Sequence, residues 1–205
     1  MTDMYFSVDV ETDGEAPGCS SMLSIGVVAM HPHTQAHYAS FYRTLKRLPD
    51  ARPLTSTMEW WDQHPKQWTE ARQGTIEPKK AMEDLRTFVE DCLAPFKGKP
   101  LPSDPRMIPV FVASPASFDF SFVYYYLHRF LGESCFGFSA LDVKSYAMAL
   151  MGNSFTESKK SRYFEEWKTP LEHTHNALED AEAQADVFRR MLAWREKMAW
   201  RLKED

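Results

Sequence analysis

Four carboxylates stand at positions of this 205-residue chain from which their side chains can meet. Asp9 and Glu11 lie two residues apart in an alternating apolar segment, so both side chains project from the same face of a strand. Asp119 and Asp180 each fall in the first turn of a predicted helix, near the positive end of its dipole. We therefore expect one strand and two helix starts to bring the four carboxylates together.

Carboxylates gathered in one place repel one another, and a divalent cation removes that repulsion. An all-oxygen ligand set favours Mg²⁺ or Mn²⁺ over zinc. Two such ions about 4 Å apart can activate a water molecule and stabilise the leaving oxygen of a phosphodiester. His175, five residues before Asp180, is suited to accept the proton of that water, because the unperturbed imidazole pKa is about 6.5.

The sequence around Asp180 supports a helix start. Asn176 is a favoured N-cap residue, and Glu179 stands where it can complete a capping box. Small residues recur at four-residue intervals along this helix, at Ala177, Ala181 and Ala185. Because small side chains let a helix approach a sheet closely, we expect the helix to bring Asp180 beside Asp9.

Each acid has a simpler explanation when it is taken alone. An Asp-x-Glu pair on a strand is usually part of a solvated strand face. Asp119 and Asp180 also suit the first turn of any helix, where the dipole stabilises negative charge. Their order and spacing along one chain are what favour a shared chemical role.

The surrounding pattern predicts an α/β domain with a mixed central sheet flanked by helices. Alternation predicts an antiparallel meander of three strands, at residues 4–11, 22–30 and 36–43. The apolar run Ile108–Ala113 suits a buried parallel strand. A short strand and helix should share residues 136–151. Helices are predicted at residues 78–93 and 118–131, from Ala177 to near the C-terminus, and in a short stretch around Trp60.

Capping residues and loops complete this prediction. Thr55 or Ser56 should cap the short helix, and Ser117 should cap the helix that carries Asp119. Lys97–Pro109 is Pro-rich and is expected to be a surface connection, while residues 152–169 are polar and are expected to form a mobile loop or lid. We expect a single domain over residues 1–205.

Three segments of the chain, taken together, resemble the three motifs of the DEDDh 3′-5′ exonucleases, the DnaQ-like group with a ribonuclease-H-like fold. They are Val8–Gly14 (VDVETDG), Phe118–Asp119 (FD) and His175–Ala181 (HNALEDA). The resemblance spans about residues 4–192 and implies one exonuclease domain that releases nucleoside 5′-monophosphates from single-stranded RNA or DNA 3′ ends. It implies metal ligation by Asp9, Glu11, Asp119 and Asp180, with two Mg²⁺ or Mn²⁺ ions. It also implies His175 as general base, with Glu11 as a further catalytic residue.

Substrate contacts are less specific in this sequence. Thr12 lies in the first motif and Met22 follows its loop, where the resemblance implies that Met22 can wedge against terminal bases, although as a strand residue it can equally belong to the core. Trp61, beside Trp60, can stack on a base or belong to the core. The family often has His-Asn where this chain has Ser114-Pro115, so the local contacts to the substrate differ there. The predicted substrate-binding residues are Thr12, Met22, Trp61, Ser114, Lys159, Lys160 and Arg162.

Composition excludes several classes of protein. With 43% hydrophobic and 14% aromatic residues, the chain has enough material for a core and is not a disordered chain. The net charge of −5 argues against a histone-like, charge-driven binder of nucleic acid. The sequence has no long apolar run, no signal-peptide pattern and three widely spaced cysteines, so we expect a cytoplasmic protein with no membrane partner.

The sequence also allows other functions, and it suggests a possible mode of assembly that the family resemblance does not include. The chain can be a non-catalytic nucleic-acid or polymerase-binding module on the same fold. The His-x-His pairs at residues 31–33 and 173–175 also allow a zinc hydrolase, although no thiolate stands near either. Met191, Trp194 and Met198 give the last helix a second apolar stripe, which predicts a partner surface or a homodimer through this helix.

Overall fold

The computed structural model describes residues 2–96 and 107–201. Its strands are β1 Thr2–Thr12, β2 Met22–Met30, β3 His37–Thr44, β4 Met107–Ala113 and β5 Ala140–Asp142. Its helices are α1 Thr55–Asp62, α2 Pro65–Ala71, α3 Pro78–Leu93, α4 Ala116–Leu131, α5 Val143–Met151, α6 Lys160–Glu166 and α7 Ala177–Arg201. A short 3₁₀ turn, Ala94–Phe96, follows α3.

The strands form one mixed sheet in the order β3-β2-β1-β4-β5. The first three strands pair antiparallel, whereas β4 pairs parallel with both β1 and β5. This arrangement confirms the predicted meander and the predicted parallel strand. The carboxyl ends of β1, β4 and β5 therefore lie at the same edge of the sheet, which is where ligands bind in many α/β folds.

Alternation along β1 separates two cores, one on each face of the sheet. Met4, Phe6 and Val8 face the core that includes residues of α3 and α4. Full burial of a side chain such as Phe6, which has no exposed surface, contributes about 1.5–3 kcal/mol. The opposite face of the sheet packs mainly against α7, through residues such as Ala181 and Phe188. Asp9 and Ser7 belong to this second face.

The prediction of a mobile loop over residues 152–169 is wrong in its second half. Lys160–Glu166 forms α6, because Tyr163 and Trp167, four residues apart, turn one face of this segment into the core against α7. Residues 152–159 contain no helix or strand. The predicted connection Lys97–Pro109 lies largely outside the described residues, which resume in β4 at Met107.

Two of the predicted caps are also corrected by the structure. The helix that carries Asp119 begins at Ala116, and the backbone N–H of Ala116 donates to the carboxylate of Asp142 at 2.9 Å. The cap therefore comes from another element rather than from Ser117. Helix α1 begins at Thr55 after Leu54, with no side-chain cap. A further helix, α2, starts at Pro65 and was not expected from the sequence.

Within the described ranges, no helix combines the length and the apolar character that crossing a membrane requires.

Candidate active site

Asp9 and Glu11 lie at the carboxyl end of β1, on the face covered by α7. In the pairing with β2, Asp9 stands opposite Gly26 and Glu11 opposite Ser24. The register shifts between Glu11 and Thr12, which pairs with Met22, so the ladder is irregular immediately after the second acid. Both acids are partly accessible to solvent, as ligands at the edge of a sheet need to be.

Gly26 allows the start of α7 to reach β1. A Cβ atom at this position would lie 2.2 Å from the carbonyl carbon and oxygen of Ala177 and 2.3 Å from the nitrogen of Leu178. No side chain fits in that space, so only glycine permits this approach. The buried Ala177 and Ala181 extend the close contact along the helix, as the alanine spacing predicted.

A buried polar network fixes α7 on the sheet. The side-chain amide of Gln184 donates to the Ser7 hydroxyl (2.9 Å) and to the carbonyls of Val8 (3.2 Å) and Val112 (3.3 Å). The Ser7 hydroxyl donates in turn to the carbonyl of Ala181 at 2.9 Å. Because the Gln184 amide and the Ser7 hydroxyl both donate to buried acceptors, the network positions the helix on the sheet.

Asn176 caps α7 as predicted. Its side-chain oxygen accepts from the backbone N–H groups of Leu178 (3.0 Å) and Glu179 (3.4 Å). The second half of the predicted capping box differs, because the Glu179 carboxylate accepts from the Thr174 hydroxyl. The loop before the helix is thus tied to its first turn.

The Asp180 carboxylate is held by this same loop. Its Oδ1 accepts from the backbone N–H of Thr174 (2.8 Å), and its Oδ2 accepts from that of His175 (3.2 Å). Asp180 is 2% exposed. On the other side of the site, the backbone N–H of Val10 donates to Oδ1 of the buried Asp119 at 3.0 Å. The hydrogen bond to Asp119 leaves its second carboxylate oxygen for other ligands, whereas both oxygens of Asp180 already accept a backbone hydrogen bond and are oriented by it.

The carboxylates form a single electrostatic unit. Burial raises the pKa of Asp9 and Glu11 well above the usual range, and repulsion from Asp119 and Asp180 raises both further. Burial also raises the pKa of Asp119, to about 7, against the opposing effects of the Val10 N–H and the Lys160 ammonium. The folded chain therefore concentrates more negative charge here than its own cations neutralise.

Oxygen atoms of Asp9, Glu11 and Asp180 all lie within 4.8 Å of one another. Such a spacing allows one cation to contact more than one carboxylate. Together with the raised pKa values, it means that a divalent cation fits this site both geometrically and electrostatically.

His175 stands beside these acids in a constrained position. Its φ angle of 60° is left-handed, a conformation that is uncommon outside glycine. Its half-buried ring packs edge-on against Trp60, with ring centroids 4.8 Å apart, and lies 5.2 Å from His64. Burial lowers its pKa below the usual value, and the neighbouring His173 lowers it further. The imidazole is thereby kept neutral near pH 7, as a proton acceptor must be.

His173, which the sequence offered only as part of a zinc-binding pair, also lies at the site. Its Nδ1 lies 2.6 Å from Oδ2 of Asp180. Ligand atoms of His173, His175 and Asp180 lie within 4.8 Å of one another. The His-x-His spacing is therefore a second potential set of metal ligands that shares Asp180 with the first.

Three predicted substrate contacts near the first motif have structural roles here. Met22 has no exposed surface and Trp61 only 2%, so these two side chains belong to the core rather than to an open cleft. The Trp61 indole N–H donates to the carbonyl of Thr12 at 2.9 Å, and the Thr12 hydroxyl donates to the carbonyl of Gly14 at 2.8 Å. These contacts hold the loop after the two acids against α1.

The other predicted substrate contacts divide into two groups. Ser114, Lys159 and Lys160 line one cavity beside the acids, and the charge of Lys160 reaches Asp9, Glu11 and Asp119. Arg162 lines a different cavity with Trp167 and Trp194. Lys160 and Arg162 point in different directions because residues two apart on a helix lie about 200° apart around its axis.

Other positioning residues were missed by sequence reasoning. Asp13, which has no exposed surface, accepts from the Ser21 backbone N–H at 2.6 Å and pairs with Arg47 at 3.1 Å. It thereby closes the loop between β1 and β2. Asp13 could have been found from its place in the VDVETDG segment. The sequence around Gly26 and Gln184 does not distinguish them from ordinary strand and helix residues.

Comparison with known proteins agrees with this geometry. The model of the 3′-5′ exoribonuclease Rv2179c-like domain family matches residues 4–192. A relative from Escherichia coli, the 3′-5′ DNA exonuclease Cap18, is 31% identical over 191 residues, which are 91% of this chain and 90% of the relative.

Solved structures share the fold at low sequence identity. The nuclease domain of 3′hExo, a DEDDh family member bound to rAMP, aligns with a TM-score of 0.64 and 12% identity over 94% of this chain and 92% of that one. Pop2p from S. pombe, in a form bound to Mg²⁺ and Mn²⁺, aligns with a TM-score of 0.60 and 14% identity over 91% of this chain and 82% of that one. The chain shares the ribonuclease-H-like fold of the DEDDh nuclease 3′hExo, and it belongs to the 3′-5′ exoribonuclease Rv2179c-like domain family and is a 3′-5′ exonuclease.

Proposed function

We propose that this exonuclease hydrolyses the terminal phosphodiester bond of single-stranded RNA or DNA in a metal-dependent reaction and releases nucleoside 5′-monophosphates. The observation that carries the proposal is the group of Asp9, Glu11 and Asp180, whose oxygens lie within 4.8 Å of one another beside the half-buried His175. The type of exonuclease follows from the family, while the substrate and the mechanism are the proposal.

Asp9, Glu11, Asp119 and Asp180 would hold two Mg²⁺ or Mn²⁺ ions. When bound, such ions supply a water of lowered pKa and charge that stabilises the leaving oxygen. Carboxylate oxygens are suitable ligands for both ions. Pop2p, which shares the fold, has a solved structure with Mg²⁺ and Mn²⁺ bound.

The proposed role of His175 is that of a general base, which accepts the proton of the attacking water. The lowered pKa of His175 keeps the ring in its neutral form, and the Trp60 contact restricts its orientation. Glu11, which is partly exposed at the end of β1, would accept a hydrogen bond from the same water. Lys160 would attract the phosphate toward the carboxylates, which otherwise repel it.

The proposal includes both RNA and DNA, since the family is described as exoribonucleases and the relative Cap18 as a DNA exonuclease. The test is a side-by-side digestion of 5′-labelled single-stranded RNA and DNA of equal sequence, with Mg²⁺ or Mn²⁺. We expect a ladder of products shortened from the 3′ end, nucleoside 5′-monophosphates in solution, and loss of both in Asp9→Asn. A wild-type protein that binds both strands and cleaves neither would instead be a non-catalytic binding module.

A zinc hydrolase is the second candidate, because His173, His175 and Asp180 form a group with ligand atoms within 4.8 Å. Two imidazoles and a carboxylate are a zinc ligand set. The same digestion with Zn²⁺, accompanied by metal analysis of the purified protein, separates the two. Stoichiometric zinc with cleavage supported by Zn²⁺ alone would favour this candidate over the proposal.

Assembly and location belong to the proposal as well. A homodimer through α7 is kept as a prediction for light scattering, although Met191 is fully buried and Trp194 packs 6.2 Å from Trp167. Met191 is thus covered by the chain itself, whereas Trp194 and Met198 stay partly exposed. The proposed location is the cytoplasm, since the three cysteines are free thiols, as they are in a reducing compartment.

A further inference from the structure

A groove of about 700 Å³ lies beside the carboxylates, and Lys160 is the residue of its lining that the proposed mechanism already uses. It is bounded by the start of α4, the start of α5 and the segment that leads into α6. Its lining includes Ser117, Lys144, Phe155, Lys159 and Lys160. The volume is in the range of sites that hold small organic ligands, and Lys160 connects the groove with the acids of the site.

The charge of the groove favours an anionic ligand. Lys144, Lys159 and Lys160 line it together with a single acid, Asp142. That acid is already engaged by the protein. Its Oδ1 accepts from the backbone N–H (2.7 Å) and the hydroxyl of Ser145, and its Oδ2 from the backbone N–H of Ala116 (2.9 Å). The lysines therefore remain available for phosphate.

Phe155 gives the groove an aromatic surface. Its side chain is 57% exposed, an unusual position for so large an apolar group. The Lys144 ammonium lies 3.5 Å from the centre of the ring, so a cation and an aromatic face stand together. Proteins bind single-stranded nucleic acids with this combination, in which the bases stack on aromatic rings and the phosphates lie near lysines.

We propose that this groove binds the nucleotide on the 5′ side of the residue being removed, with its base on Phe155 and its phosphate near Lys144 and Lys159. The inference rests on the proposed function, because it assumes a strand whose 3′ end lies at the carboxylates. The hydroxyl of Ser117, which is exposed in the groove, can donate to the same phosphate.

The test compares a substrate that fills the groove with one that does not. The first is a 5′-labelled trinucleotide, in ribo and deoxy forms. The second is the 4-nitrophenyl ester of thymidine 5′-monophosphate, in which nitrophenol replaces the upstream strand. We expect Phe155→Ala to lower the ratio of kcat/KM for the trinucleotide to that for the ester by roughly 10-fold, the effect of losing one stacked base. Phe155→Trp should restore the ratio, because it keeps the stacking surface.

A matched control is Phe138→Ala, which removes an even more exposed phenylalanine (87%) outside the groove. This control should keep the wild-type ratio. Lys144→Ala should lower the ratio and weaken its dependence on salt concentration. An unchanged ratio in Phe155→Ala, or an equal fall in Phe138→Ala, would contradict nucleotide binding in the groove. Either result would leave the exonuclease proposal standing. A wild-type protein that hydrolyses neither substrate overturns the proposed function and the groove together.

Discussion

At the scale of single residues, the position of His175 makes it the sharpest test of the mechanism. Its neutral ring stands beside Asp180 and is not required for the sheet, so we expect His175→Ala to fold and to lose about 10²–10⁴-fold in kcat. Because its pKa lies below the usual value, the wild-type rate at saturating Mg²⁺ should fall only below about pH 6.5. His37→Ala, on the exposed face of β3, is the control and should be silent. Unchanged kcat in His175→Ala would remove the general-base role.

At the scale of elements, activity depends on how closely α7 approaches β2. In Gly26→Ala the new methyl group would lie 2.2 Å from the Ala177 carbonyl, so the start of the helix and Asp180 must move. A shift of about 1 Å can cost about 10²-fold in rate, and we expect at least this loss in kcat. Val27→Ala is the matched control, since this residue is fully buried in the opposite core. It should lower the melting temperature and keep kcat. Wild-type kcat in a folded Gly26→Ala would contradict the argument.

At the scale of the whole molecule, the carboxylates make stability depend on pH and metal. Asp9 and Glu11 have raised pKa values in the folded chain, and the pKa of Asp119 is about 7, so between about pH 4 and those values the folded state binds more protons than the unfolded state. Metal-free stability therefore falls as pH rises through this range. In EDTA, the melting temperature should drop from pH 5 to 8 more steeply in the wild type than in Asp9→Asn. Mg²⁺ should raise it at pH 8, chiefly in the wild type. Equal slopes in the two proteins would argue against repulsion at the site.

Local patterns in the sequence determined most elements of the fold and the motif acids. Alternation along residues 4–11 predicted β1 and put Asp9 and Glu11 on one face, because the period of a strand is local. Asn176 and the alanines predicted the start of α7 for the same reason. In contrast, residues 160–166 form a helix because Tyr163 and Trp167 find a core supplied by α7, and the polar residues of that segment concealed it.

Contacts between distant parts of the chain were decided by the tertiary structure alone. Met22 and Trp61 are core residues, and Arg162 turns away from the acids, because packing determines which way a side chain points. Asp142 caps α4 from a strand end, and Gln184 joins α7 to β1 and β4, across separations that no local pattern encodes. The groove at Phe155 exists for the same reason. The sequence by itself determined which residues carry charge and on which elements they lie, and only folding decided which charges face one another, since interaction energy depends on distance in space rather than along the chain.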